Sequence, residues 1–164
     1  MMSATPRRRA ILPRLALACG LLAALAGCVG FGDSGGGGLA PGLTASMATP
    51  GANLDRPSAL GLLNQYRGTV GAPALTDDPS LDAQAQSLAA AYARSGKAPA
   101  MPAGLLGMRA SAGYANFAET FSGWRNSPAD AAVLGTAGAR RAGLAAVYDP
   151  SSAYGVYWML ILAG

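Results

Sequence analysis

The sequence predicts an α+β domain, a three-layer α/β/α sandwich whose small antiparallel sheet ends in a C-terminal hairpin. Three observations carry this reading. Apolar residues recur at helical spacing between residues 57 and 134. Two strand-like runs, 142–148 and 156–163, close the chain, with Asp149-Pro150-Ser151-Ser152 and Gly155 as turn residues between them. The second run, Val156-Tyr157-Trp158-Met159-Leu160-Ile161-Leu162, has little polar interruption, as expected of a strand covered on both faces.

The N-terminus reads as a targeting segment. Arg7, Arg8, Arg9 and Arg14 precede any acidic residue, and Leu15 to Ala26 forms a twelve-residue apolar run. A bilayer-spanning helix needs about 20 such residues, so the run has the length of a secretory signal core. It ends in Leu25-Ala26-Gly27-Cys28, which resembles a bacterial lipoprotein signal over residues 1–27. That resemblance implies cleavage before Cys28 and acylation of its thiol. Two or three acyl chains anchor durably, at roughly 0.8 kcal/mol per buried methylene. The alternatives are a plain signal peptide with an incidental cysteine and a buried helix of a longer fold. Val29 follows Cys28 where an aspartate would differ; in a Gram-negative lipoprotein this resembles outer-membrane sorting, and the expected location is the periplasmic face of the outer membrane. Cys19 falls inside the removed segment, so no disulfide is expected.

Residues 28–52 read as the lipidated cysteine and a tether. Seven glycines fall among residues 30–43, and Pro41 and Pro50 add breaks. Such a coil reaches roughly 25–30 Å over the stretch 29–52, and its composition argues against a packed core. The glycine run is not a phosphate cradle, since no Lys-Ser/Thr follows it and no strand precedes it.

Residues 53–164 are the expected folded domain. Leu60, Leu63 and Tyr66 share one face of a helix over 57–67, with Pro57 in its first turn. Asp78-Pro79 then opens a second helix, in which Leu81, Ala85, Leu88, Ala89 and Tyr92 keep the helical period until Ser95-Gly96. Lys97 to Gly113, rich in proline, glycine and methionine, reads as irregular. Asn116-Phe117-Ala118-Glu119 has the form of a capping box, opening a helix that carries Phe117, Phe121 and Trp124. Ser127-Pro128 ends it and starts a short helix through Leu134.

Composition narrows the chemistry. The chain of 164 residues has no histidine, which excludes Ser-His-Asp or Cys-His catalysis and histidine-containing zinc sites. Its net charge of +4 comes from the four N-terminal arginines; past residue 27 eight basic residues balance eight acidic ones. A nucleic-acid partner needs a clustered basic face, and none is expected.

The order of these pieces resembles the CAP superfamily (cysteine-rich secretory proteins, antigen 5, pathogenesis-related proteins), in its short bacterial branch. The residues that carry it are Leu60-x-x-Leu63-Asn64-x-Tyr66-Arg67, Leu75-x-x-Asp78-Pro79-x-Leu81, Gly123-Trp124-Arg125-Asn126-Ser127-Pro128, and Gly143-Leu144-Ala145 followed by Tyr157-Trp158. The resemblance implies the sandwich fold with a shallow cleft. It also implies what is missing. Asp130 stands at the position of a cleft histidine, a second histidine is absent near 97–100, and Gly107-Met108-Arg109 replaces Gly-Glu-Asn, putting Met108 in place of the cleft glutamate. Met108 and Asp130 do not make a divalent-metal site, so neither metal nor cofactor is expected.

Met108, Asp130 and Glu119 remain the cleft candidates, and no catalytic residue is assigned. Each has a plainer reading: Glu119 as a helix cap, Asp130 as a first-turn acid, Trp124 and Trp158 as packing residues. Tyr148, Tyr154 and Tyr157 give a weak signal for a small apolar groove near the hairpin. The expected function is a monomeric, non-catalytic envelope lipoprotein that binds or scaffolds. Its ligand would be a cell-wall component, an envelope protein or an apolar molecule, since some CAP relatives bind sterols or lipids. The alternatives are a hydrolase using Asp130 and Glu119, whose carboxyls would lie about 5–10 Å apart, and a vestigial structural paralogue.

Overall fold

The computed structural model describes residues 38–164. Cys28 and the signal segment lie outside the described residues. The elements are α1 (Pro41–Thr44), α2 (Arg56–Thr69), β1 (Thr76–Asp77), α3 (Pro79–Ser95), β2 (Gly107–Ala112), α4 (Phe117–Asn126), α5 (Pro128–Leu134), β3 (Arg141–Tyr148) and β4 (Val156–Ala163). The sheet order is β1-β3-β4-β2. β4 pairs antiparallel with both β3 and β2, while β1 runs parallel to β3.

All eight residues of β4 are buried, and alternation sends them to two different cores. Trp158, Leu160 and Leu162 join Ala59 and Leu63 of α2, Phe117, Phe121 and Trp124 of α4, and Leu134 of α5. Met159, Ile161 and Ala163 meet Leu81, Ala85 and Ala89 of α3. The alanine stripe of α3 has a purpose at β3. A Cβ on Gly143 would collide with the Leu81 carbonyl, so helix and strand pack at backbone distance. α3 ends where Gly96 adopts φ 68°, a left-handed conformation that glycine takes without strain.

Three expectations change. The stretch 97–113 is not wholly irregular, because Gly107–Ala112 forms β2 against β4. Its small side chains give little apolar alternation, so only the partner strand reveals it. Thr76-Asp77 forms a short strand, where the sequence reading placed none before the second helix. The folded part also begins before residue 53. Leu43 and Met47, 4% and 5% exposed, belong to the larger core, and the Met47 amide donates to Ala115 O at 2.7 Å. Two apolar side chains in a glycine- and proline-rich stretch are enough to dock it.

Arg67 is fully buried at the end of α2. Its guanidinium donates to Pro73 O at 2.7 Å, Leu134 O at 2.6 Å, Thr136 O at 3.1 Å and Ala139 O at 3.3 Å. Burial, with nearby Arg140 adding repulsion, pushes it below the usual guanidinium range. Beyond β1, the outer edge of β3 is sealed by side chains: Asp82 of α3 accepts from Leu144 N at 2.8 Å, and Arg56 of α2 donates to Leu144 O at 2.9 Å. Arg56 and Asp82 themselves lie 3.2 Å apart.

Arg67→Met strands these buried carbonyls and is expected to cost about 3–5 kcal/mol, read from the urea unfolding midpoint. A loss under about 1 kcal/mol would refute the clamp.

The acid limb has a defined source. Hydrogen bonds from Ser80, then the Arg141 guanidinium, bring Asp78 down to about 2. The native state therefore holds this proton less tightly than the unfolded chain does. Its contribution is complete above about pH 4 and is lost as pH falls towards 2. Asp55 and Asp149, lowered by hydrogen bonds from Ser58 and Ser151, act in the same direction. Asp77 is raised, chiefly by burial and then by Asp82, and acts in the opposite direction. Asp78→Asn should flatten the fall in stability between pH 4 and 2 in acid titrations followed by circular dichroism.

Candidate functional site

β2 decides how the expected cleft residues are placed. Met108 and Ala110 pack with the α3-side core. Gly107, Arg109 and Ser111 face the other layer: a Cβ on Gly107 would meet Val133 of α5, and Ser111 Oγ accepts from Trp124 Nε1 at 2.8 Å. Arg109 pairs with Asp130 of α5, their side chains 30% and 25% exposed. Arg109 Nε is buried without a partner. Asp130 sits in the first turn of α5, a favourable place for a carboxylate.

Met108 and Asp130 therefore lie on opposite faces of the sheet and share no cleft. The neighbour of Asp130 is Arg109, which the reading of the sequence had not put forward. A one-residue step along a strand changes its face, and no local signal in Gly107-Met108-Arg109 marks which side chain looks which way.

Glu119 belongs elsewhere. Its amide donates to Asn116 Oδ1 at 3.0 Å, while its carboxylate accepts from Asn116 Nδ2 at 2.9 Å and from Ala115 N at 3.2 Å. This is the reciprocal cap that the sequence announced. The same side chain borders a groove of about 420 Å³ between α2 and α4, lined by Leu39, Leu62, Ala118, Phe121, Ser122 and Arg125. The trough continues past Leu62, Phe121 and Arg125 into a second hollow of about 330 Å³ bordered by Gln65, Tyr66 and Thr69. Tyr66 and Phe121 meet edge to face at 6.0 Å and form part of its floor. Asp130 borders neither hollow.

A third, more polar hollow of about 440 Å³ lies where the end of α3 meets the β3–β4 turn, with Arg94, Asp149, Ser151 and Tyr157 on its walls. Of the three hairpin tyrosines, only Tyr157 lines it, and its surroundings are polar rather than apolar. Among the described residues no three His, Cys, Asp or Glu side chains gather as a metal site would require. No described helix is long and apolar enough to cross a membrane.

The family model described as CAP, the cysteine-rich secretory protein family, matches residues 60–162. The chain belongs to the CAP family. Two solved structures share the CAP fold at low identity. An outer surface protein from Borrelia burgdorferi superposes with a TM-score of 0.53 at 12% identity, covering 66% of this chain and 90% of its own. MpPR-1i superposes with a TM-score of 0.53 at 14% identity, covering 65% of this chain and 88% of its own. Among curated proteins none matches the chain. Within this CAP domain, Asp130 is paired with Arg109 of the neighbouring strand.

A double-mutant cycle of Arg109→Met and Asp130→Asn should return a coupling of about 1 kcal/mol that weakens with added salt, as for partly exposed pairs. Coupling indistinguishable from zero at low salt would show that the pair does not tie α5 to β2.

Proposed function

We propose that this protein is a lipid-anchored envelope protein whose CAP domain binds rather than catalyses. Its ligand is an apolar chain with an acidic head, seated between α2 and α4. The observation that carries this is the groove itself. Leu62 and Phe121 give it an apolar lining, and Arg125 stands on the rim, exposed and without an ion pair or hydrogen bond among the described residues. Small-molecule sites combine an apolar lining with a few placed polar groups, and a free guanidinium at the mouth favours a carboxylate or phosphate head.

The binding reading is supported by the dispersal of the family's cleft positions. Met108 is packed towards α3, Asp130 is held by Arg109, and Glu119 is spent as a helix cap. The envelope reading is supported by the Leu25-Ala26-Gly27-Cys28 box, and one protein of the same fold is itself named an outer surface protein.

The test is a titration with cis-parinaric acid, a fatty acid that fluoresces in apolar surroundings. Wild type should bind saturably. Arg125→Glu should weaken binding about tenfold while leaving binding of the corresponding alcohol within about twofold, since one charge-assisted contact is worth about 1.4 kcal/mol or more. No saturable binding by wild type overturns the proposal. For the anchor, Cys28→Ser should move the protein from the membrane fraction to the soluble fraction.

A further inference from the structure

One groove residue belongs to neither α2 nor α4. Leu39 lines the trough and is 51% exposed, the second most exposed large apolar side chain among the described residues. It lies just ahead of α1, on the side of the chain that leads back to Cys28. The domain's hold on this strand of chain begins four residues later. Leu43 is buried, and its amide donates to Ala40 O at 2.9 Å; further on, Met47 N is fixed to Ala115 O. Leu39 donates no such backbone bond among the described residues. An apolar side chain left half in water over an apolar trough gains burial when a hydrocarbon chain fills that trough.

We propose that Leu39 forms a closing wall of the groove, folding over a bound acyl chain. This rests on the reading of the groove as an acyl-chain site and adds a residue and a coupling to it. Occupancy restrains residues 38–40, which lie only ten to twelve positions beyond Cys28. Eleven residues span at most about 40 Å however they are arranged, so a ligand that fixes Leu39 also fixes the point from which that span is measured. The acidic head and the wall act separately: Arg125 discriminates acid from alcohol, whereas Leu39 contacts hydrocarbon and serves both alike.

The experiment uses the full chain with cis-parinaric acid and the corresponding alcohol. Leu39→Ala should weaken both about five- to tenfold, the share of apolar burial that a half-exposed leucine gains on closure. Leu39→Met should restore most of the loss, and the unfolding midpoint without ligand should not move. Hydrogen exchange at Leu39 and Ala40 should slow when wild type is saturated with the fatty acid.

If wild type binds, Arg125→Glu discriminates acid from alcohol, and Leu39→Ala binds like wild type with unchanged exchange at residues 39 and 40, the closing wall is refuted while the groove stands. If wild type binds neither probe, both the groove reading and the wall fall.

Discussion

A buried cation holds the larger layer of this domain together. Arg67 leaves the last turns of α2 and offers its guanidinium to main-chain carbonyls at positions 73, 134, 136 and 139. Those carbonyls belong to the loop after α2 and to the passage from α5 into β3, irregular chain that makes no regular ladder of its own. Removing a cation from water is costly, and here the cost is offset because the planar fork reaches several acceptors at once. Irregular chain can therefore cross the interior end of the sheet without leaving orphaned polar groups.

That arrangement frees the sheet to serve two cores. β4 sends Val156, Trp158, Leu160 and Leu162 to one face and Met159, Ile161 and Ala163 to the other, and the small residues of α3 and Gly143 bring the helix close enough to fill the second. Position on β2 then becomes a matter of parity. Arg109 and Ser111 are drawn into the layer containing Asp130 and Trp124, while Met108 is drawn away from it. The groove between α2 and α4 is bordered by Glu119 but by neither Met108 nor Asp130.

Much of this could be read directly from the residues, where the signal was local. The Asn116–Glu119 cap, the Asp78-Pro79 helix start, and the terminal hairpin each depend on neighbours within a few positions, and each stands where its pattern put it. What could not be read was non-local. β2 is a strand because β4 offers it hydrogen bonds, not because Gly-Met-Arg-Ala-Ser-Ala favours extension. Leu43 and Met47 look like stray apolar residues in a coil until α4 and its preceding loop are in place. The face of Met108 depends on a register that no window of sequence contains. Leu39 and Arg125 join one site only through the packing of α2 against α4.

The side-chain seal over Leu144 carries a consequence for assembly. Proteins with a bare strand at each margin of a sheet can stack head to tail without limit, since every new molecule offers the next a template. Here one margin is occupied at its centre by a carboxylate and a guanidinium from opposite layers. A molecule with one margin blocked can terminate a growing ribbon but cannot extend it, so this fold carries its own protection against fibre formation.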